Sequence, residues 1–305
     1  MQKAYLTALF ELAQKDERVV SLLADSGTAY DELFRRYLPQ QIIDFGIAEE
    51  HLVAAAAGMA SVGKIPFAYT AGAFLAYRSF EFIRDDVCFQ NQNVKIVGMG
   101  SGLAWCTLGP SHHTTEDCSV LRALPNLTIF SPASPLEVKK SVQAAYDITG
   151  PVYIRIGMSG EEELYSADYD FLPGKSVVMA EGDDIAIFST GTLVAEVLKA
   201  AALLREQGIH ARVINVHTLK PFDTEGVLSA AKSTKHIFTA EEHNIYGGLG
   251  SMVAEVLAEH ACAVSLTRIG LPDCFAKGYG TLAQVRQQNG LDAQSIAQSV
   301  LAVLP

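Results

Sequence analysis

Short β-rich runs alternate with amphipathic helices along almost the whole of this chain, and that alternation restricts it to parallel α/β layers. Helical spacing of Tyr5, Leu6, Leu9, Phe10, Leu12 and Ala13 leads into a strand over Val19-Val20-Ser21-Leu22-Leu23-Ala24. Further strands are expected over 41–45, 65–69, 94–99, 127–130 and 152–156, with helices filling the gaps. The helix over 134–149 opens Ser-Pro-Leu-Glu, with proline at a first-turn position where its missing N–H costs nothing. Residues 157–182 break the pattern; rich in Gly, Glu, Asp and Tyr, they read as an interdomain linker with a strap. A second α/β unit follows, with strands over 185–189, 211–216, 235–240 and 263–269 and a helix over 192–207 that stops at Gly208. The expected fold is two consecutive three-layer α/β domains with mainly parallel sheets, over residues 1–160 and 183–305, joined by a linker over 161–182.

A chain of 305 residues is long enough for two domains, each with its own core. Its 49% hydrophobic and 19% charged content describes a well-buried protein and excludes a disordered one. The formal net charge of -11 and scattered basic residues argue against nucleic acid or an anionic membrane as partner. No uninterrupted apolar run reaches the ~20 residues of a membrane span. The five cysteines (Cys88, Cys106, Cys118, Cys262, Cys274) are odd in number and lack a Cys-x-x-Cys pair, which fits free thiols in a reducing compartment. Met1 leads directly into an amphipathic segment with no signal peptide ahead of it, so the expected location is the cytoplasm.

The stretch Asp44-Phe45-Gly46-Ile47-Ala48-Glu49-Glu50-His51-Leu52 reads as a strand end, a glycine turn and a carboxylate at the mouth of an Ala-rich helix ending near Gly63. Acids there are favoured by the helix dipole as solvated caps. The sharper reading turns Glu49 into a cleft, where a desolvated carboxyl can share a proton with a heterocycle. Asp25 follows the first strand, where open α/β sheets place ligands. Gly247-Gly248-Leu249-Gly250 lacks G-x-G-x-x-G spacing and a Walker lysine, so a tight strand-to-helix turn is preferred over a phosphate loop. Gly98-Met99-Gly100-Ser101-Gly102 either cradles an anion or lets backbone approach closely. His112 and His113 precede a helix; without a third ligand nearby, proton transfer or hydrogen bonding suits them better than metal binding. Phe74, Tyr77, Phe80 and Phe82 form a stripe that is either core or a flat pocket for an aromatic ligand.

In order along the chain, these blocks resemble the thiamine-diphosphate enzymes of the transketolase group. Gly-Ile-Ala-Glu-Glu-His is similar to that group's glutamate motif, and Ile65-Pro66-Phe67, Ala73-Phe74-Leu75 and Arg78 to Arg84 to its pyrimidine-pocket segment. Gly109-Pro110-Ser111-His112 through Asp117, Leu121 to Asn126, Pro151 to Arg155, Thr218 to Asp223 and Glu241-Glu242-His243 continue the likeness. The resemblance implies a pyrimidine-binding domain followed by the family's C-terminal domain. It implies that Glu49 hydrogen-bonds the pyrimidine nitrogen and favours the imino tautomer, with Phe74 stacking on the ring and Tyr77 and Phe80 beside it. Catalysis would fall to Glu49 and His112, and Asp25, His112, His113 and Arg155 are the candidates to face substrate.

The family's diphosphate and Mg2+ are held by a domain carrying Gly-Asp-Gly. No such triplet occurs here; Glu181-Gly182-Asp183-Asp184 comes nearest. The chain thus resembles the C-terminal half of a split transketolase, holding no metal itself. It is expected to form a homodimer that pairs with an N-terminal diphosphate-binding subunit in an α2β2 assembly. Leu108 replaces the usual Asp of the His block, Met158 an Arg that grips phosphate, and Ala29 a phosphate-contacting Ser. A bidentate Arg–phosphate pair is strong, so its loss points to sugar substrates other than the usual pentose and hexose phosphates. The same superfamily offers alternatives: a 1-deoxyxylulose-5-phosphate-synthase-like or 2-oxo acid dehydrogenase β-like subunit, or a non-catalytic regulatory paralogue.

Overall fold

The computed structural model describes residues 1–26, 31–158 and 160–304. Twelve strands are present among them: β1 (Val19–Leu23), β2 (Ile42–Asp44), β3 (Ile65–Ala71), β4 (Lys95–Met99), β5 (Thr128–Phe130), β6 (Val152–Ile156), β7 (Val177–Ala180), β8 (Ile185–Ser189), β9 (Ala211–Asn215), β10 (Thr218–Lys220), β11 (His236–Asn244) and β12 (Ser265–Leu271). The α-helices are α1 (Gln2–Ala13), α2 (Asp31–Tyr37), α3 (Glu49–Ser61), α4 (Phe80–Phe82), α5 (Asp117–Leu121), α6 (Pro135–Asp147), α7 (Val194–Glu206), α8 (Thr224–Ser233), α9 (Leu249–Glu259), α10 (Leu282–Gln288) and α11 (Ala293–Leu301). Among the described residues no helix is long and apolar enough to cross a membrane.

The strands form two sheets, ordered β10-β5-β6-β4-β3-β1-β2 and β12-β11-β8-β9-β7. Pairing is parallel except where β10 joins β5 and β7 joins β9. Strands β1, β4, β6 and β8 are buried along their whole length, as strands covered on both faces must be, and their Val- and Ile-rich sequences read accordingly. Helix α6 begins where expected: the Ser134 side chain accepts from the Glu137 amide and Pro135 occupies the first turn.

Two short strands cross the expected boundaries. Val177–Ala180 lies within 161–182, yet it is the antiparallel edge of the second sheet. Thr218–Lys220 comes from the second half and pairs with β5 of the first sheet, Thr218 opposite Phe130. Lys220 reinforces that crossing, its ammonium donating to the Arg122 carbonyl at 3.0 Å and to that of Leu124. The strap over 161–176 is anchored as well. Tyr165 and Tyr169 donate to the buried Glu137 carboxylate at 2.6 and 2.5 Å, and Asn215 donates to the same oxygen at 2.8 Å.

Candidate active site

The C-terminal ends of β1, β3, β4 and β6 open on a cleft of about 420 Å³. Ala24 and Asp25 reach it from β1, Thr70 and Ala71 from β3, Met99 from β4 and Met158 from just past β6. Parallel α/β sheets bind ligands at this edge because the loops diverge there and helix N-termini point into the gap. Glu49, Phe74, Trp105, Leu108, His112 and Gln2 complete the wall around the sheet edge.

Glu49 arrives by a turn the sequence specifies. The Asp44 carboxylate accepts the Gly46 amide at 3.0 Å and the Asp25 amide at 3.2 Å, tying the ends of β1 and β2 together. Gly46, at φ +66°, then reverses the chain in a conformation costly for a residue with a Cβ. Helix α3 follows with Glu49 as its first residue, and no side chain caps it. The carboxyl is 2% exposed and pairs with Arg78, whose Nη1 donates to Oε2 at 2.7 Å. An anion at the first turn is stabilised by the helix dipole. Of the two acids at this mouth, Glu49 is the one that lines the cleft.

Across the cleft His112 packs edge-on to Phe74, with centroids 5.0 Å apart, and to Trp105 at 5.9 Å. Ser111 Oγ lies 3.0 Å from His112 Nδ1 and orients the ring. The glycine segment before it serves close approach: Gly100 sits at φ +81°, and a Cβ there would meet Trp105 Nε1 at 2.0 Å. Gln2 spans the far wall, donating to the Tyr69 hydroxyl at 2.8 Å.

Four expected site residues lie elsewhere. Tyr77 exchanges hydrogen bonds with Glu116, accepting from its amide at 3.0 Å, and lines a separate cavity of about 330 Å³. Phe80 packs against the hydrophobic core. Both are displaced for one reason: Phe74–Arg78 is a π-helical turn, so residues three apart leave the single face that α-helical spacing would give them. His113 is buried beside Tyr77 rather than in the cleft, and burial pushes its pKa below the ordinary value against the pull of Glu242 and Glu116. Arg155 is 3% exposed and locked inside: its Nε donates to Asp117 at 2.9 Å, and Nη2 donates to the Thr114 and Glu242 carbonyls at 2.8 and 3.0 Å. A guanidinium so engaged is structural. Asp25 and His112 do line the cleft, as do Leu108 and Met158, whereas Ala29 lies outside the described residues.

The motifs of the second half build the seam between the sheets. Glu241 accepts the Leu249 and Gly250 amides, so the turn at Gly247 to Gly250 already holds the chain's own anion. Glu242 pairs with Arg286 and accepts from the Leu103 amide at 3.3 Å, across the two halves. Glu181, Asp183 and Asp184 sit in the turn between β7 and β8, where Arg212 and the His210 amide engage them. Asp117, Cys118 and His243 place one donor atom each within 4.8 Å of one another. Their donors are committed, however: Asp117 to Arg155 and Tyr153, and His243 Nδ1 to the Asn244 carbonyl at 2.6 Å.

These residues fit the pyrimidine end of thiamine diphosphate. A buried carboxyl and an aromatic face line one cleft, the two kinds of group that a flat heterocycle with a ring nitrogen would need. Gln2, Ser26, Ile47, Thr70, Met99 and Trp105 also form the wall; Ile47 and Met99 fall inside motifs singled out in the sequence, and the others lie outside any. Their signal is position: Thr70 and Met99 end strands of a parallel sheet, and Trp105 is the one tryptophan of the chain.

Comparison with known proteins accounts for this geometry. The family model of the transketolase pyrimidine binding domain matches residues 1–159, and that of the transketolase C-terminal domain matches 174–296. An apulose-4-phosphate transketolase subunit from Actinobacillus succinogenes is 39% identical over 93% of this chain and 92% of its own. A 6-deoxy-6-sulfo-D-fructose transketolase subunit from Clostridium sp. is 38% identical over 98% of this chain and 92% of its own. A solved structure described as a split gene transketolase, inactive beta4 tetramer, has a TM-score of 0.91 at 40% identity, covering 99% of this chain and 97% of that one. The Campylobacter jejuni transketolase shares the fold at a TM-score of 0.81 and 18% identity, over 98% of this chain and 46% of that one. The pyrimidine domain implies dependence on thiamine diphosphate, and the chain belongs to the transketolase family of transferases, where it corresponds to the C-terminal subunit of a split transketolase.

Proposed function

We propose that this chain, joined to an N-terminal subunit that holds the diphosphate and Mg2+, transfers a two-carbon ketol unit from a ketose donor to an aldose acceptor. The observation that carries this reading is Glu49: a carboxyl 2% exposed at a helix mouth, in the same cleft as Phe74 and His112. Bound thiamine diphosphate supplies the nucleophilic carbon of the transfer. Glu49 holds a proton against the pyrimidine nitrogen, Phe74 orients the ring, and His112 hydrogen-bonds a substrate oxygen. Trp105, Leu108 and Met158 line the cleft with groups that exclude water. The working assembly is a homodimer of this chain with two partner subunits, in the cytoplasm.

The substrates are other than the common pentose and hexose phosphates. No Lys or Arg is among the described residues lining the cleft, the Arg78 guanidinium at its side being taken by Glu49, and Leu108 and Met158 line it in place of the acid and the phosphate-gripping Arg that the resemblance leads one to expect. The relatives above are named for apulose 4-phosphate and a sulfofructose, which supports an unusual sugar here too. A second reading rests on the 1-deoxy-D-xylulose-5-phosphate synthase of Chlorobium phaeovibrioides, 37% identical over 98% of this chain and 47% of its own. Product analysis of the reconstituted complex separates the two: ketol transfer without CO2 release supports the transketolase, and decarboxylation of a 2-oxo acid supports the synthase. A strong preference for xylulose 5-phosphate with ribose 5-phosphate would overturn the substrate assignment.

A further inference from the structure

Arg78 touches both groups that the proposed function assigns to the pyrimidine ring. Its guanidinium donates to Glu49 Oε2 at 2.7 Å, and its Cζ stands 5.2 Å from the centre of the Phe74 ring. The π-helical turn Phe74–Arg78 brings the two side chains together, four positions apart in sequence. Arg78 itself is 44% exposed, so solvent can receive it, whereas Glu49 is held inside at 2%. A buried carboxylate with no partner is costly, and among the described cleft residues no other cation faces it.

We propose that Arg78 is a displaceable counter-ion over the cofactor site, a positioning residue that covers Glu49 and Phe74 until the pyrimidine ring enters. The assignment rests on the cofactor role given to Glu49. Without cofactor, Arg78 neutralises the carboxylate and lies on the ring face by cation–π attraction. Entry of the pyrimidine, with one proton taken up from solvent by the Glu49 carboxyl, exchanges the guanidinium for a ring nitrogen at that carboxyl and for a flat ring on Phe74. Arg78 then swings into water, where a guanidinium is stable. The ion pair therefore opposes cofactor binding and slows its association.

The test is a double-mutant cycle on cofactor binding, not on turnover. The complex with the N-terminal subunit is mixed with thiamine diphosphate and Mg2+. Association is followed by protein fluorescence and affinity by equilibrium dialysis. Arg78→Met is expected to speed association and tighten binding by roughly fivefold, the scale of a half-exposed ion pair. In the Glu49→Gln background, where only the neutral hydrogen bond and the contact with Phe74 remain, the same replacement is expected to give a clearly smaller gain. An Arg78→Met complex that binds no faster and no tighter overturns the proposal, as does an equal gain in both backgrounds, which would place the effect outside the ion pair. A wild-type complex that does not bind thiamine diphosphate overturns the functional reading beneath it as well, so the two failures are distinguishable. Arg78→Lys, which keeps the charge, is expected to stay near the wild-type rate; a gain matching that of Arg78→Met would contradict the counter-ion role.

Discussion

The carboxylate of Glu241 accepts the backbone amides of Leu249 at 2.7 Å and Gly250 at 2.8 Å, closing the N-terminus of α9 from inside. Those amides are buried, and removing the carboxylate leaves them without its acceptor oxygens, so Glu241→Ala is expected to cost about 1–3 kcal/mol. Urea unfolding of the isolated chain measures this. A loss under about 0.5 kcal/mol would show that the cap is dispensable.

Asp117 and Arg155 form an ion pair inside the first domain, exposed by 0% and 3%, with the Tyr153 hydroxyl donating to the same carboxylate at 2.8 Å. Removing one partner strands the other charge in the interior. Arg155→Met should destabilise by about 3–5 kcal/mol, the range for breaking a buried pair. If unfolding shows a stable protein that has lost only substrate affinity, Arg155 belongs to the cleft after all.

Lys95 is fully buried on β4, its ammonium donating to the Ile148 and Gly150 carbonyls at 2.7 Å each. Burial pushes its pKa down to about 7. The unfolded chain keeps the ordinary lysine value near ~10.4, so between these two pH values unfolding takes up a proton. Stability contributed at Lys95 therefore rises with pH above about 7, by at most about 1.4 kcal/mol per pH unit. Comparing wild type with Lys95→Met from about pH 7 to 9 tests it: the difference should shift in favour of wild type as pH rises. A pH-independent difference would contradict the lowered pKa.

Much of the architecture is legible because apolar, β-branched runs such as Val152-Tyr153-Ile154-Arg155-Ile156 are buried on both faces and bounded by Gly or Pro. What escapes the sequence is short or long-range. Thr218–Lys220 has three residues, and nothing local tells such a strand which sheet it will join. Val177–Ala180 hides in a polar strap for the same reason. The aromatic stripe misleads because π-helical turns leave no mark in residue spacing, so Phe74 reaches the cleft while Tyr77 and Phe80 do not. Glu241, Glu242 and His243 carry catalytic residue types, yet tertiary contacts commit Glu241 to a helix cap, Glu242 to Arg286 and the Leu103 amide, and His243 to a neighbouring carbonyl. Glu49 is legible from its own helix mouth; its pairing with Arg78, 29 residues on, is not.

In the proposed reaction Glu49 is the acid–base group of a cofactor that a second chain helps to hold. Glu49→Gln is nearly isosteric and keeps a hydrogen-bond acceptor for Arg78, so the chain should fold and assemble as before. Turnover of the complex reconstituted with the N-terminal subunit is the direct measurement. The expected result is a loss of about 10²–10⁴-fold in ketol transfer with unchanged assembly, the scale of a positioned acid–base group. Turnover within a fewfold of wild type in the Glu49→Gln complex would contradict that role.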